Sequence, residues 1–206
     1  MIVPETTETL EHAAKLIANG GLIAFRTDTF YGLGADPLNR EAVTRIKTLK
    51  GREDNKPILL LVADATDVDR LMIDKSEDFA EVARSFWPGP LTIVGVAAPE
   101  LPQELTAGTG TIGLRLPNDD NVRSLVSLCG GALTATSANA SGSPPACSAQ
   151  EVADYFPTGI DLIIDGGDVT ATELSTVLDL SEPEPRVIRE GAVSRKMLEG
   201  VLGQAL

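Results

Sequence analysis

The sequence predicts one α/β domain over residues 1–206, in which helices flank a twisted, mixed β-sheet. Strand-like and helix-like segments alternate along the whole chain, which is typical of this architecture. The segment PILLLV (57–62) is continuously apolar, as expected of a strand that is covered on both faces of a sheet. A chain of 206 residues with 43% hydrophobic content is also long enough to bury one large core.

The order of elements follows from the apolar spacing and from the residues that begin and end each segment. Apolar residues between Leu10 and Ile17 recur at helical spacing, and Asn19-Gly20-Gly21 ends that helix before a buried strand at 22–25. Asn39 is a suitable N-cap for a second helix, which ends at Gly51. Further strands are predicted at 57–62, 91–97, 111–117, 132–136, 161–165, 175–180 and 186–190, and further helices at 66–72, 76–86, 119–129, after Ser148 and from about Ser194.

The composition narrows the class of function. The net charge of −13 argues against a protein whose whole surface binds nucleic acid, because that binding depends on neutralising phosphates. Aromatic residues make up 4% of the chain, too few for base-stacking platforms. Two cysteines and the single His12 argue against a disulfide framework, a protein metal site and a Ser-His-Asp triad. Without a targeting pattern or a membrane-length apolar run, we expect a cytoplasmic protein.

Residues 40–56 form a basic island in this acidic chain, with six of the seventeen Lys and Arg residues and three acidic ones. Three of its cations fit the solvated face of the second helix: Arg40, Arg45 and Lys47. Lys50, Arg52 and Lys56 instead extend from the point where the helical pattern stops. We expect these three side chains to direct positive charge at an anionic ligand.

Two polar segments follow predicted strands, where α/β proteins place ligand loops. They are TDTFYGLG (27–34) and TSANASG (136–142), whose hydroxyl, amide and backbone N–H groups suit a small polar ligand; an ordinary turn is the alternative for either segment alone. Arg115 and Arg189 stand in apolar surroundings, which indicates an ion pair or an anion site. The G-x-G-x-x-G match at 108–113 leads into a strand rather than a helix, so no Rossmann site is predicted.

Seven short motifs keep their order and spacing from about Leu22 to Ala192: TDTFYGLG, KGRxxxKP, WPGPLT, IGLRLP, TSANASG, STVLDL and IREG. Together they resemble the signature segments of the YrdC-like threonylcarbamoyl-AMP synthase family, in its short, single-domain form. The resemblance implies a YrdC-like α/β fold with a concave basic cleft. It also implies a nucleotidyltransferase that converts L-threonine, bicarbonate and ATP into threonylcarbamoyl-AMP and pyrophosphate, the first step of tRNA threonylcarbamoyladenosine modification.

The resemblance implies a role for each matching residue. The positions that hold L-threonine in the family are Thr29, Arg115 and Ser175. The positions that hold the nucleotide are Arg52, Lys56, Thr111, Ser137, Asn139, Pro145 and Arg189. Lys50 and Arg52 are the expected catalytic residues, acting by positioning and electrostatic stabilisation. No protein metal ligand is implied, Mg²⁺ is expected to arrive with ATP, and tRNA or a tRNA-modifying transferase is the expected downstream partner.

Two positions depart from the family pattern. Arg26 stands where the loop commonly begins with proline, and Leu61 stands where a histidine is often found. The second change removes a polar contact near the amino acid, which leaves open a paralogue that adenylates a different carbamoyl substrate. An RNA-binding or ribosome-maturation factor is the non-enzymatic alternative, and the acidic composition and few aromatic residues count against it.

Overall fold

The computed structural model describes residues 1–51, 57–140, 142–170 and 173–206. Its strands are β1 (Ile2–Pro4), β2 (Ile23–Phe25), β3 (Gly32–Gly34), β4 (Leu59–Val62), β5 (Met72–Ile73), β6 (Leu91–Ala97), β7 (Thr111–Arg115), β8 (Ala132–Ser137), β9 (Leu162–Asp165), β10 (Thr176–Asp179) and β11 (Arg186–Arg189). Its helices are α1 (Thr7–Ala18), α2 (Arg40–Lys50), α3 (Glu77–Phe86), α4 (Gln103–Thr106), α5 (Asp120–Leu128), α6 (Ala149–Tyr155) and α7 (Arg195–Leu202), with a 3₁₀ helix at Ala65–Arg70.

The described strands form one mixed sheet, which confirms the predicted α/β class. Their order is β1-β9-β2-β3-β8-β4-β7-β6-β10-β11, and β5 pairs with β6. The pairs β4–β7 and β6–β10 are parallel, whereas β4–β8 and β6–β7 are antiparallel. This order brings the loop after β2, the end of β7 and the residue before β10 to one region of the sheet.

Three buried clusters hold the layers together. The largest packs α2, α3 and α7 against the sheet, the second packs α1 and α5, and the third packs α6. Ile58, Leu60 and Val62 are fully buried in the largest cluster, and each such side chain stabilises the fold by about 1.5–3 kcal/mol. Leu59 and Leu61 point to the opposite face, where both line a cleft. On that face Leu61 also packs in the second cluster, beneath α1 and α5, and is 1% exposed, while Leu59 packs at its edge. The cover on both faces that the apolar sequence predicts is therefore confirmed for β4, and the cleft reaches its edge.

The predicted ends of α2 are confirmed. The Asn39 Oδ1 atom accepts the Ala42 N–H at 3.1 Å, and Gly51 has φ +56°, a left-handed conformation that suits glycine at a helix end. The helix predicted at 66–72 is instead a short 3₁₀ helix followed by β5. Segment 32–34, predicted to be part of a loop, is the strand β3, because Gly34 lets its backbone pass the Phe25 ring, which lies 2.8 Å from where a Cβ would stand.

Among the described residues, no helix combines the length and the apolar character needed to cross a membrane.

Candidate functional site

A cleft of about 790 Å³ opens over the sheet face formed by β4, β7, β6 and β10. Its floor includes Leu59, Thr92, Val94 and Gly113. A Cβ on Gly113 would lie 3.0 Å from the Thr92 Cγ2 atom and 3.5 Å from the Leu59 Cβ atom. The floor is therefore deep at this point because β7 carries no side chain there.

The fold brings most of the predicted site residues to this cleft. Its walls include Thr29, Thr111, Arg115, Ser137, Asn139, Pro145, Ser175 and Arg189. Lys50 reaches the same wall through its contacts to Ser137 and Asn139. The two remaining predicted residues, Arg52 and Lys56, lie outside the described residues.

The charge of the described lining is mixed. It contains the three arginines 115, 186 and 189 and also the acidic residues Asp179 and Glu182. The Arg186 guanidinium is paired with Asp179 at 3.2 Å, so it adds little net charge. The predicted basic character of the cleft depends on Arg52 and Lys56 and stays a prediction.

The guanidinium end of the cleft, defined here as Thr29, Arg115, Ser175 and Arg189, centres on a buried arginine. Arg115 is 4% exposed and donates to the Gly89 carbonyl at 3.1 Å, to Thr29 Oγ1 at 3.1 Å and to Asp28 Oδ1 at 2.5 Å. Within the described part of the chain, these bonds use three of the five guanidinium N–H groups. Two N–H groups remain to bind an anionic ligand in the cleft.

A second arginine lies beside the first. Arg189 donates to the Ser175 carbonyl at 2.8 Å and to Ser175 Oγ at 3.1 Å, and Ser175 Oγ is 3.3 Å from Thr92 Oγ1. Burial and the nearby charge of Arg115 lower the pKa of Arg189. Because the two like charges repel, an anion bound between them would stabilise both charged forms. This end therefore has the groups to bind a carboxylate, with hydroxyl groups at its edge.

The loop after β2, which contains Asp28 and Thr29, is itself fixed by a hydroxyl group. Thr27 Oγ1 accepts the N–H groups of Thr29 and Phe30, each at 3.2 Å, and donates to the Phe30 carbonyl at 2.7 Å. Its oxygen also lies 3.1 Å from Thr29 Oγ1. The short polar turn predicted from TDTFYGLG thus presents Thr29 to the cleft in a fixed orientation.

The loop end of the cleft, defined here as Lys50, Ser137, Asn139 and Ser143, is built around a buried ammonium group. Lys50 Nζ donates to the Ser137 carbonyl, to the Asn139 carbonyl at 2.9 Å and to Asn139 Oδ1 at 3.2 Å. Ser137 Oγ donates to Asn139 Oδ1 at 2.6 Å, and Asn139 Nδ2 donates to the Ser143 carbonyl. The last residue of α2 therefore holds the loop after β8 in place.

Tyr31 supports that loop from behind. Its backbone N–H donates to the Ala146 carbonyl at 3.0 Å, and its carbonyl accepts the Ala138 N–H at 2.8 Å. The hydroxyl donates to the Gly167 carbonyl at 2.9 Å and accepts the Gly166 N–H at 3.2 Å. Burial, followed by the nearby Asp165 carboxylate, raises the pKa of Tyr31 to about 12.

Asp28 and Gly113 are not predicted as site residues from the sequence. Asp28 lies within the polar segment 27–34, and a carboxylate next to Thr29 is a signal for a partner of one of the buried arginines. Gly113 stands out in the sequence only as the last glycine of the G-x-G-x-x-G match. Its position on the cleft floor depends on strand register, which pairs Gly113 with Val94 across β6 and β7.

Comparison with known proteins agrees with the motifs. A family model for Sua5, YciO and YrdC proteins, with the description "Telomere recombination", matches residues 15–191. The threonylcarbamoyl-AMP synthase of Pyrococcus abyssi is 38% identical over 192 residues, or 93% of this chain and 56% of that protein. The threonylcarbamoyl-AMP synthase of Halorhodospira halophila is 37% identical over 157 residues, or 76% of this chain and 82% of that protein. The chain thus spans about half the length of the first relative and most of the second.

The fold is also similar to a solved structure. The crystal structure of P. abyssi Sua5 complexed with L-threonine matches with a TM-score of 0.94 and 36% identity, over 100% of this chain and 61% of that one. The resemblance seen in the motifs is confirmed by these matches. Because the family model covers most of the chain and the relatives exceed 30% identity, this chain belongs to the Sua5/YciO/YrdC family.

Proposed function

We propose that this chain is an L-threonylcarbamoyladenylate synthase, which converts L-threonine, bicarbonate and ATP into threonylcarbamoyl-AMP and pyrophosphate. The observation that carries the proposal is the guanidinium end of the cleft. Arg115 and Arg189 lie together there, with the hydroxyl groups of Thr29 and Ser175 at the same edge. That set suits an α-amino acid, whose carboxylate needs cations. The relative solved with L-threonine supports this choice of ligand.

The chemistry explains why cations surround such a cleft. The amine of threonine attacks bicarbonate, water leaves, and a carbamate forms. A carbamate oxygen then attacks the α-phosphate of ATP, and pyrophosphate leaves. Threonine's carboxylate, the carbamate and the triphosphate all carry negative charge, so without cations they would repel one another strongly. The protein contributes mainly by holding the reactants together and by stabilising charge that moves to the leaving pyrophosphate.

The nucleotide is proposed to bind toward the loop end. Ser137, Asn139 and Pro145 line the cleft there, and Thr111 lines the wall from β7. Arg52 and Lys56 are proposed to reach the phosphates. In this proposal Lys50 acts on the reaction through the loop that it holds, because its ammonium donates to Ser137 and Asn139.

Mg²⁺ is proposed to enter with ATP. The described residues contain no group of three or more His, Cys, Asp or Glu side chains that could hold a metal ion. Mg²⁺ usually keeps several waters and takes further ligands from the phosphate oxygens of its nucleotide, so the proposal does not require a protein metal site. Mg²⁺ would spread the triphosphate charge, and the protein's cations would orient the phosphates.

The product is a mixed anhydride of a carbamate and AMP, which is reactive toward amines. We propose that its consumer is a tRNA-modifying transferase, or tRNA in complex with one, in the cytoplasm. Transfer to the amine of an adenosine would release AMP. No tRNA surface on this chain is needed for the adenylation itself.

The proposal is tested by pyrophosphate release with each substrate omitted in turn. We expect release only when L-threonine, bicarbonate and ATP are all present. Arg115→Ala removes the guanidinium group that is proposed to donate to the substrate carboxylate, and it should lower kcat/KM for threonine by about 100-fold or more. The matched control is Arg45→Ala, because Arg45 pairs with Asp161 on the exposed surface of α2. Release without threonine, or an Arg115→Ala enzyme as active as the control, would contradict the proposal.

Leu61 is the observation that favours a second candidate, a paralogue with another amino-acid substrate. It lies opposite Arg115 in the β4–β7 pair and lines the cleft with an apolar side chain that is 1% exposed. An apolar wall discriminates weakly between a methyl and a hydroxyl group. Pyrophosphate release should therefore be compared for threonine, serine and valine. Preference for any amino acid other than threonine would favour the paralogue, and salt-sensitive RNA binding without release would favour the non-enzymatic alternative.

A further inference from the structure

Asp28 lies behind the Arg115 guanidinium rather than at the surface of the cleft. Its Oδ1 atom accepts from Arg115 Nη2 at 2.5 Å, and its Oδ2 atom accepts the Asn118 backbone N–H at 3.2 Å. The side chains of Arg115 and Asp28 are 5% and 15% exposed. Both carboxylate oxygens are therefore used within the protein, and Asp28 is not among the residues that line the cleft.

The contacts around Arg115 fix the plane of its guanidinium group. Asp28 holds Nη2, Thr29 holds Nη1 and the Gly89 carbonyl holds Nε. Of these three acceptors, Asp28 alone is charged, and a charge-assisted bond is about twice as strong as a neutral one. With the plane fixed, the second N–H of Nη1 and the second N–H of Nη2 are held in that plane, which is the plane in which a guanidinium group binds a carboxylate.

We infer that Asp28 is a positioning residue, which orients Arg115 to receive the carboxylate of the amino-acid substrate. This inference rests on the proposed function, since it assumes that the ligand at the guanidinium end is an α-amino acid. Asp28 does not touch the substrate. Its effect should therefore appear only for ligands that carry the carboxylate.

The test compares two ligands in two proteins. L-Threonine and L-threoninamide differ in the carboxylate, and Asp28→Asn keeps the size of the side chain while removing its charge. Binding of each ligand is measured by calorimetry, and the ratio of the two affinities is compared between wild type and variant. We expect the wild type to prefer L-threonine. In the Asp28→Asn variant the ratio of the affinities for L-threonine and L-threoninamide should fall by about tenfold, while the affinity for L-threoninamide stays unchanged.

Asp161→Asn is the matched control. The Asp161 Oδ2 atom likewise accepts from an arginine, Arg45 at 3.1 Å, and from a backbone amide, Leu22 N–H at 2.7 Å, but it lies outside the cleft lining. Its substitution should leave the affinity ratio at the wild-type value. Asp28→Glu keeps the charge and should recover part of the preference, which a purely structural loss would not do.

The possible outcomes are distinct. If the wild type does not prefer L-threonine over L-threoninamide, the proposed function fails. If the wild type does prefer it and Asp28→Asn lowers both affinities equally, or leaves the ratio unchanged, Asp28 does not position Arg115. Thermal unfolding of each variant shows which protein is folded. If Asp28→Asn does not fold, Asp28→Glu supplies the test, because it shifts the carboxylate by one methylene: a partial loss of the preference supports the inference, and an unchanged affinity ratio contradicts it.

Discussion

The guanidinium end and the loop end of the cleft use buried positive charge in different ways. At the guanidinium end, Arg115 is fixed by side chains and a carbonyl, and two of its N–H groups remain for a ligand. At the loop end, Lys50 donates to two carbonyls and one side-chain oxygen of the protein itself. At the guanidinium end the charge of Arg115 faces the cleft. At the loop end the charge of Lys50 stabilises the conformation of the loop that lines the cleft.

The difference follows from the two side chains. A guanidinium group has five donors in a rigid plane, so part of the plane can be anchored while the rest binds a ligand. An ammonium group has three donors around one atom, and within the described residues Lys50 makes three contacts to the loop after β8 alone. A buried cation in a cleft is therefore not by itself a ligand contact. We expect the two ends to respond differently to substitution.

The largest effect is expected for Lys50→Met. Methionine keeps the apolar stem of lysine but removes the ammonium donor of the buried Asn139 carbonyl and one of the two donors to the Ser137 carbonyl, which keeps the Asn139 N–H at 3.0 Å. We expect the free energy of unfolding to fall by about 2–4 kcal/mol and pyrophosphate release to be lost with the loop geometry. Denaturant unfolding and the release assay measure the two effects.

The control for Lys50→Met is Arg45→Met on the exposed side of the same helix, whose ion pair with Asp161 is about half exposed. It should change stability by less than about 1 kcal/mol and leave activity intact. If Lys50→Met lost activity at full stability, Lys50 would act on the ligand directly, and the distinction between the two ends would be wrong.

Local signals predicted much of this site from the sequence. The stop at Gly51 and the cap at Asn39 fix α2 by local geometry, and they predict that Lys50 lies at the end of this helix. Which partner Lys50 takes was not predictable, because its acceptors lie 87 and 89 residues away in sequence. The pairing of Arg115 with Asp28 is of the same kind, across 87 residues.

The nature of short segments was also hard to predict. Strand β3 is Gly-Leu-Gly, a sequence that favours a turn by propensity, and only its ladders to β2 and β8 make it a strand. Leu59 and Leu61 are predicted as core residues, and both pack in or against the second cluster, but their sequence does not indicate that they also line the cleft, since burial and cleft lining both select apolar side chains. Strand pairing with distant segments decides whether β3 is a strand and whether a leucine lines the cleft. The local sequence around each residue does not specify that pairing.

Gly113→Val tests whether threonine and ATP both bind over the middle of the cleft floor. A Cβ at this position would meet the Thr92 Cγ2 atom at 3.0 Å, and the branched side chain would rise into the cleft. Valine suits a strand, so we expect a small change in the midpoint of thermal unfolding. Affinity should fall by about tenfold or more for ATP as well as for threonine, because small displacements of reactants are costly. Calorimetry with each ligand measures both effects.

Gly200→Ala in α7 is the control for this variant, since a Cβ there would have no atom within 4 Å. It should raise stability by up to about 1 kcal/mol and leave both affinities unchanged. Weakening of threonine binding alone in Gly113→Val would show that the nucleotide does not cross the middle of the floor.

The smallest effect is expected at Tyr31, behind the loop end, where the free energy of unfolding should depend on pH through the phenol group. In a Tyr155→Phe variant Tyr31 is the only tyrosine, and its phenolate absorbance should appear with a midpoint near the raised pKa of about 12 instead of the ordinary 10.0. Because burial favours the neutral phenol, Tyr31 stabilises the fold fully below pH 10 and loses this contribution as pH rises through about 12. Unfolding in urea should return the midpoint to near 10. A folded-state midpoint near 10 would mean that the hydroxyl is solvated, and that Tyr31 does not hold the Gly167 carbonyl against the loop end.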